Sequence, residues 1–296
     1  MLLEQKKIVI IGGTSGLGLS ATRAFVRDGA RVVAVGLDEE SCKNVMSEFS
    51  GHHPGGPAEA IDSAASGSGS PRPSGASPTD SGASDPVIAI TADATGEETA
   101  EQAIQTCRQS FGGFDGLYHV AGGSGRKMGD GPLHECSLSG WNKTFEKNLT
   151  SLMLSNRAAV REFLAQGEGG VILNMGSVLG YSPSPKYFAT HAYAAAKAAV
   201  IGYSRSVAAY YAKDNIRVNV LAPGLVRTPM AKRAAENEEI MHFIKTKQPL
   251  DHGRIGEPED FDAAACYFMS DHSRFTTGQV LSVDGGWSLS EGQYRT

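Results

Sequence analysis

The sequence has few cysteines and no excess of positive charge. Its cysteines lie far apart and form neither a CxxC pair nor a Cys/His cluster. This spacing argues against a disulfide framework and a zinc site, so we expect reduced thiols and no metal. The formal net charge of −5 gives no reason to expect a nucleic acid or an anionic membrane as a partner. The cysteines are Cys42, Cys107, Cys136 and Cys266.

Long apolar runs are also absent. No run approaches the roughly 18 residues that a membrane-spanning helix needs. The N-terminus, MLLEQKKIVIIGG, places Glu4, Lys6 and Lys7 before a short apolar run, and it lacks the long apolar region and small-residue cleavage site of a secretory signal. We therefore expect a soluble, cytoplasmic protein with no membrane partner.

The sequence does contain a regular alternation of β-branched apolar runs and longer helical patterns. The length of 296 residues and the apolar content of 41% suit one large domain. The alternation predicts an α/β fold, a single Rossmann-type, doubly wound parallel sheet flanked by helices on both faces. Several runs are continuously apolar, as expected for strands covered on both faces. The predicted strands are residues 8–11, 31–35, 87–91, 116–120, 171–175, 217–222 and 279–283.

One stretch interrupts this alternation. From about residue 51 to 86, Ser, Gly, Pro and Ala dominate, as in DSAASGSGSPRPSGASPTDSGASDP. Such a composition cannot bury enough apolar surface to offset the entropy lost on ordering. We therefore predict a disordered insertion within a single domain spanning residues 1–296. A long surface insertion is tolerated because loop-closure entropy grows only logarithmically with length.

The first predicted strand runs into the glycine-rich segment IGGTSGLG. Gly12, Gly16 and Gly18 stand there in a G-x3-G-x-G arrangement, and a helical pattern follows. Glycines allow a tight turn with close backbone approach, while a helix N-terminus offers N–H groups and a positive dipole end to a pyrophosphate. Between a strand and a helix, this segment predicts a dinucleotide site.

Two acidic residues are candidates for the adenosine end of that site. Asp38 lies 20 residues after Gly18, a separation at which an acidic group commonly accepts hydrogen bonds from ribose hydroxyls. The same residue also suits the N-cap of the helix that begins at EESCKNVM. A carboxylate there would repel a 2′-phosphate, which favours NAD over NADP. Asp93, in TADAT, could reach the adenine amino group or cap its own loop.

The segment YAAAK places Tyr193 and Lys197 four residues apart among alanines, so both side chains lie on one face of a helix. One interpretation is a packed phenol with a lysine that extends to solvent. The other is a proton-transfer pair, because charges about 4 Å apart interact by roughly 4 kcal/mol at an effective dielectric of about 20. An interaction of that size would bring the pKa of a phenol into a working range.

Neighbouring features favour the proton-transfer interpretation. The predicted strand VILNM ends at Gly176 and Ser177, which puts a hydroxyl at the carboxyl rim of the sheet, where open α/β sheets bind ligands. Asn148 lies inside a helical pattern, although asparagine is a mediocre helix former. After the next strand, APGLVRTPM supplies a Pro-Gly turn with Thr228 close behind.

In order and spacing these motifs resemble the short-chain dehydrogenase/reductase family, in particular its 3-oxoacyl reductases, over nearly the whole chain apart from the insertion. The resemblance implies an NAD(P)-dependent oxidoreductase, a homodimer or homotetramer, that interconverts a secondary alcohol and a ketone. It implies that Tyr193 is the general acid/base and that Ser177 stabilises the substrate oxygen. Lys197 would hold the nicotinamide ribose and lower the tyrosine pKa, and Asn148 would position a water. The cofactor-binding residues it implies are Gly12, Thr14, Ser15, Gly16, Leu17, Gly18, Asp38, Asp93, Ala94, Ala121, Gly122, Tyr193, Lys197, Pro223, Gly224, Val226 and Thr228.

The sequence departs from the family pattern in three places. His119 stands where the family often has the first asparagine of Asn-Asn-Ala-Gly, and we interpret it as a structural replacement. The segment between Ser177 and Tyr193 is longer than usual and carries Tyr181 and Tyr187, but neither has a lysine four residues later. The family's usual acidic residue at the end of the second strand is replaced by a glycine at position 36, which weakens the preference for NAD.

Two questions stay open at this level. A dinucleotide-sensing regulatory protein without catalysis is the alternative function, although such a protein would be expected to lack the tyrosine or the lysine. The substrate classes suggested by the family are 3-oxoacyl thioesters, sugars and polyols, and the segment after Thr228 does not choose among them.

Overall fold

The computed structural model describes residues 1–51 and 85–292. Within these ranges the chain forms seven strands and nine α-helices, with helices in every connection between consecutive strands. The strands are β1 (Lys7–Ile11), β2 (Arg31–Gly36), β3 (Val87–Thr91), β4 (Gly116–His119), β5 (Gly170–Met175), β6 (Ile216–Pro223) and β7 (Val280–Val283). The helices are α1 (Gly16–Arg27), α2 (Glu39–Phe49), α3 (Thr99–Phe111), α4 (Leu138–Phe145), α5 (Ser151–Gln166), α6 (His191–Tyr211), α7 (Lys232–Ala235), α8 (Glu238–Lys247) and α9 (Asp262–Met269).

The strands form one parallel sheet in the order β3-β2-β1-β4-β5-β6-β7. The chain starts in the middle, builds one side through β2 and β3, and returns to build the other side from β4. The predicted doubly wound Rossmann-type fold is therefore confirmed, and each predicted strand end falls within one residue of the observed end. The insertion predicted at about 51–86 lies almost entirely outside the described residues.

Both faces of the sheet are covered by helices, which explains the continuous apolar runs. Ile8 and Ile10 of β1 pack into one cluster, which includes Phe25 of α1. Val9 and Ile11 point to the opposite face, into a second cluster that draws on α3 and α5. The side chains from Ile8 to Ile11 are thus buried, and this part of the strand needs no polar face.

The topology leaves a crevice beside the carboxyl end of β1. Ile11 pairs with Val35 of β2 on one side and with His119 of β4 on the other. The chains leaving β1 and β4 diverge at this switch point, which is where open α/β sheets bind their ligands.

Two further expectations concern membranes and thiols. Within residues 1–51 and 85–292, no helix is long and apolar enough to cross a membrane. The four cysteines are free thiols, and three of them are buried.

Candidate active site

The turn between β1 and α1 is packed so closely that no side chain fits at two of its glycine positions. Gly12 has a φ of +89°, and a Cβ there would lie 2.8 Å from the backbone nitrogen of Ala121. A Cβ on Gly18 would lie 1.9 Å from the Gly12 carbonyl oxygen. Ser15, the N-cap of α1, makes no side-chain capping bond to any described residue. The free N–H groups and the positive helix end therefore remain available to an anion such as a pyrophosphate.

This turn forms one wall of a long cavity along the carboxyl ends of β1 to β4. Its lining also includes residues after the third strand, together with Lys147 and Met230. A cavity beside the switch point and the glycine turn suit a dinucleotide. The predicted cofactor residues that line it are Gly12, Thr14, Ser15, Gly16, Leu17, Asp93, Ala94, Ala121, Gly122 and Thr228.

The other predicted cofactor residues lie outside this cavity. Gly18 packs against the Gly12 carbonyl within the turn, and Pro223 is the last residue of β6. Gly224 lines a second, adjoining cavity. Val226 is buried, and its main chain forms a β-bridge with Gly256.

Asp38 does not line the cavity either. Its carboxylate accepts the backbone N–H of Ser41 at 2.7 Å and caps α2, as its position before EESCKNVM predicts. Gly36 and Leu37 line the cavity in its place. A Cβ on Gly36 would lie 2.1 Å from Thr14 Oγ1, so this chain has no room for the family's usual acidic residue. A ribose contact from Asp38 stays a prediction.

Asp93 caps its own loop, which is one of the two interpretations of this residue. Its Oδ1 accepts both the backbone N–H and the hydroxyl of Thr95 at 2.8 Å, which caps the loop after β3. The residue also lines the cavity beside Ala94. A contact with the adenine amino group stays a prediction.

Ser177 and Tyr193 come together in the second cavity, although they are 16 residues apart in the sequence. Ser177 follows β5 and accepts the Leu179 N–H at 3.2 Å, while Tyr193 lies in the first turn of α6. Met230 lines both cavities, so this one adjoins the dinucleotide cavity. The tyrosine therefore faces a space beside the place where a nicotinamide would lie.

Burial controls the protonation of the YAAAK pair. It raises the pKa of Tyr193 to about 12, and interaction with the Ser177 hydroxyl opposes this rise. Burial lowers the pKa of Lys197 to about 8. The Lys197 ammonium donates a hydrogen bond to the Met175 carbonyl at 2.8 Å. Lys197 Nζ lies 5.7 Å from the centroid of the tyrosine ring. The lowering of the tyrosine pKa that we expected from Lys197 is therefore not the dominant influence here.

Asn148 is buried in a π-helical turn, Glu146–Thr150, between α4 and α5. Its amide donates to the carbonyls of Gly123 and Thr144 at 2.9 Å, and its Oδ1 accepts the Gly123 N–H at 2.9 Å. Both amide hydrogens are thus used by the backbone. Any water that this residue positions would have to bind the remaining lone pair of Oδ1 or the main chain.

Three further polar residues, which we did not predict, help to build the site. Asp130 is buried and accepts the N–H groups of Ala192 and Tyr193 at the start of α6. Arg126 and Arg233 line the same cavity as Tyr193. No spacing in the sequence connects these residues to YAAAK, because the fold alone brings them together.

Comparison with known proteins decides the family. A profile described as "Enoyl-(Acyl carrier protein) reductase" matches residues 75–288, and one described as "short chain dehydrogenase" matches residues 6–64. The chain belongs to the short-chain dehydrogenase/reductase family. It is thus an oxidoreductase that acts on CH–OH groups with a nicotinamide dinucleotide.

Relatives in this family are similar over almost their whole length. The chain is 30% identical to a 2,5-dichloro-2,5-cyclohexadiene-1,4-diol dehydrogenase of Sphingobium indicum, over 97% of this chain and 98% of the relative. It is 29% identical to 3beta-hydroxysteroid dehydrogenase 2 of Eggerthella lenta, over 97% and 96%. A short-chain type dehydrogenase/reductase of Mycobacterium ulcerans superposes with a TM-score of 0.80 at 25% identity, over 98% of this chain and 92% of that one. The inactive, dinucleotide-sensing alternative finds no support in these relatives.

Within this short-chain dehydrogenase/reductase, the departures from the family pattern have local explanations. His119 is fully buried, its Nδ1 lies 2.7 Å from Ser155 Oγ, and burial lowers its pKa to about 3. A neutral imidazole in this place suits the structural role that we expected. The hydroxyls of Tyr181 and Tyr187 contact Ser282 and Glu239, and neither residue lines the cavity of Tyr193.

Proposed function

We propose that this enzyme interconverts a secondary alcohol and a ketone, with Tyr193 as general acid/base and NAD(P) as hydride acceptor or donor. One observation carries the proposal. Tyr193 and Ser177 line a cavity that adjoins the dinucleotide cavity, so a substrate oxygen near both hydroxyls would place its carbon beside the nicotinamide. A bound nicotinamide supplies the hydride chemistry at that carbon.

Side chains of this protein would transfer the proton and stabilise the charge that develops. In the oxidation direction, the phenolate of Tyr193 takes the hydroxyl proton of the alcohol, and in reduction the phenol returns it. Ser177 donates a hydrogen bond to the same oxygen as negative charge develops there. Lys197 lies close enough to the tyrosine to stabilise the phenolate, and its other N–H groups can hold a ribose hydroxyl. Asn148 binds the main chain of Gly123 and so connects the π-helical turn between α4 and α5 to the loop after β4.

We propose NAD as the preferred dinucleotide. Among the described residues, the part of the cavity formed by Val35, Leu37 and Asp93 contains no lysine or arginine to hold a 2′-phosphate. Lys147 also lines the cavity, but a Cβ on Gly123 would lie 3.2 Å from its Nζ, which places the ammonium beside the loop after β4. The Asp93 carboxylate further disfavours an added phosphate through charge repulsion.

The substrate proposal follows from the cavity and the relatives. Val178, Leu179, Phe188, Leu225 and Trp287 give the cavity a largely apolar lining, which suits an alcohol on a hydrocarbon body. The relatives named above act on a cyclohexadiene diol and a hydroxysteroid, and this lining is compatible with a substrate of such apolar character. The lining favours these over sugars.

Assembly and domain organisation complete the proposal. We retain a homodimer or homotetramer, since Phe275 and Leu289 expose large apolar side chains. We retain a single domain, since all described strands share one sheet. Light scattering at several protein concentrations would test the assembly.

A substrate panel tests the central claim. Secondary alcohols and ketones with apolar bodies would be assayed with NAD(H) and with NADP(H), beside sugars and polyols. We expect turnover of an apolar secondary alcohol with a higher kcat/KM for NAD. Dinucleotide binding without turnover of any alcohol or ketone would contradict the proposal, and a preference for NADP would contradict only the cofactor choice.

A further inference from the structure

Two arginines from distant parts of the chain meet at the cavity that Tyr193 lines. Arg126 comes from the 3-10 turn Arg126–Met128 after β4, and Arg233 comes from α7. Both guanidinium groups donate to the carbonyl of Tyr187, at 3.0 Å and 3.5 Å. Two positive charges are therefore held together at the wall of the cavity.

Among the described residues, no aspartate or glutamate lines this cavity, although the charge of Asp130 acts on Arg126 from outside the lining. Near α7, Glu236 pairs with Lys232 at 3.8 Å and Glu239 pairs with Lys186 at 2.6 Å, so both carboxylates are engaged elsewhere.

The carboxylate of Asp130 acts on Arg126 through its charge but makes its hydrogen bonds elsewhere. Its two oxygens accept the N–H groups of Ala192 and Tyr193 at 2.9 Å and 3.0 Å. Burial lowers the pKa of Arg126 and the charge of Arg233 lowers it further, while the charge of Asp130 opposes this lowering. The two cations therefore repel each other at a partly buried place.

A purely structural role explains only part of this arrangement. Anchoring the Tyr187 carbonyl needs one guanidinium, and Arg126 supplies it at 3.0 Å. The 3.5 Å contact of Arg233 is at the limit of a hydrogen bond and adds little to that anchor. The remaining N–H groups of both side chains bind no described residue, which leaves them available to a ligand. Guanidinium groups bind carboxylate and phosphate oxygens through paired hydrogen bonds.

We propose that the substrate of this enzyme carries an anionic group, a carboxylate or a related oxyanion, which Arg126 and Arg233 bind in the cavity that Tyr193 lines. This inference rests on the proposed oxidoreductase function and adds the charge of the substrate to it. The substrate would then be an alcohol or ketone with an apolar body and an oxyanion away from the reacting carbon. The apolar body would contact side chains such as Phe188 and Trp287.

A binding experiment tests the arginine pair without requiring turnover. Octanoate, octanesulfonate and octyl phosphate would be titrated calorimetrically into the full-length protein with NADH present, and 1-octanol would serve as the neutral probe. We expect at least one anion to bind about tenfold or more tightly than 1-octanol, and we expect Arg126→Met and Arg233→Met each to lose about tenfold or more of that affinity. Octanol binding as tightly as every anion, or unchanged anion binding in both variants, would overturn the inference.

A matched control separates a local site from the overall charge. Lys127→Met removes one positive charge next to Arg126 in the sequence, from an exposed side chain that does not line the cavity. We expect its anion affinity to stay within about twofold of the unmodified protein. Arg233 is exposed, so Arg233→Met remains informative even where Arg126→Met disturbs the loop held by the Tyr187 carbonyl. Equal losses in Lys127→Met and the arginine variants would count against the site.

A turnover experiment distinguishes this inference from the proposed function. Hydroxy acids of the form CH3–CHOH–(CH2)n–COO⁻ and their methyl esters would be oxidised over a series of chain lengths. We expect the ratio of kcat/KM for acid over ester to exceed about ten at the best length and to fall about tenfold in Arg233→Met. Equal use of acid and ester would reject the anion site and leave the oxidoreductase intact. Anion binding without turnover of any alcohol would reject the proposed function and leave the anion site intact.

Discussion

The carboxylate of Asp130 accepts the backbone N–H of Tyr193 at 3.0 Å, and its second oxygen accepts the N–H of Ala192 at 2.9 Å. Thr190, the N-cap of α6, makes no side-chain capping bond to a described residue. A buried residue from the loop after β4 thus satisfies the first N–H groups of α6 and fixes where that helix starts. We conclude that Asp130 positions Tyr193.

The variant Asp130→Asn tests this positioning. Its amide has one oxygen, so one of the two N–H groups would face an NH2 group and lose its acceptor. We expect kcat to fall about tenfold while the Kd for NADH changes little, because no cofactor contact is removed. The free energy of unfolding should fall by about 1 to 2 kcal/mol. Steady-state kinetics, NADH titration and urea unfolding would measure these quantities.

A second cap provides the control for Asp130. Asn237 accepts the Ile240 N–H at 2.9 Å and caps α8, without lining the cavity of Tyr193. We expect Asn237→Ala to lower the free energy of unfolding by a similar amount, about 1 kcal/mol, and to leave kcat nearly unchanged. An equal fall of kcat in both variants would show that turnover follows general stability rather than the position of Tyr193.

The variant Tyr193→Phe tests the acid/base assignment. Removing the hydroxyl should lower kcat by roughly 10² to 10⁴ fold, the usual contribution of a positioned proton-transfer group. NADH binding should persist, because the phenol faces the substrate cavity. Tyr181→Phe is the matched control, since that hydroxyl contacts Ser282 at 2.6 Å and should be dispensable for turnover. Undiminished kcat in Tyr193→Phe would remove this residue from the mechanism.

The buried Lys197 should make the free energy of unfolding depend on pH in the alkaline range. Its pKa is lowered by burial to about 8, from 10.5, so between these values the unfolded chain binds more protons than the folded protein. Below pH 8, burying the ammonium lowers the free energy of unfolding by about 3 kcal/mol. This loss of stability disappears as the pH rises towards 10.5. Unfolding free energies of the unmodified protein and Lys197→Met, measured from pH 7 to 10, should therefore diverge, with the unmodified protein gaining relative stability. Parallel curves would contradict the shifted pKa.

The sequence predicted those parts of the molecule that depend on local pattern. Apolar runs located the strands, and the glycine spacing located the turn between β1 and α1, because both follow from neighbouring residues. Asp38 shows the limit of such reasoning. A count of 20 residues from Gly18 could not tell a ribose contact from a helix cap, and in the structure the carboxylate is occupied by Ser41.

Residues that act across the fold were beyond sequence reasoning. Asp130 reaches α6 from a loop more than sixty residues away, and Arg126 meets Arg233 only because both segments cover the carboxyl end of the sheet. Each of these side chains belongs to an unremarkable local sequence. Their effect arises from long-range contacts that a single sequence without its fold does not display.

His119 should weaken the protein in mild acid. Its pKa is lowered by burial to about 3, from 6.5, so the unfolded chain takes up a proton at pH values where the folded protein does not. Stability therefore falls as the pH drops from 6.5 towards 3, by about 2 kcal/mol at pH 5. His119→Asn should reduce this loss, and His134→Asn, at an exposed site, should not. Urea unfolding at pH 7 and pH 5 would show the difference, and an equal acid loss in His119→Asn would contradict it.

The segment between α2 and β3 should be removable. The N–H of Gly51 donates to Asp85 Oδ1 at 2.9 Å, so the two ends that residues 52–84 connect are adjacent. Replacing 52–84 with a linker of about four glycines and serines should keep NADH affinity and kcat, because every residue that the proposed mechanism uses lies outside this segment. The shorter loop should raise the free energy of unfolding by up to about 2 kcal/mol through its lower closure entropy. Thermal unfolding and NADH titration of the shortened protein would check both points. A large fall in melting temperature would show that the segment packs against the domain, contrary to what its composition predicts.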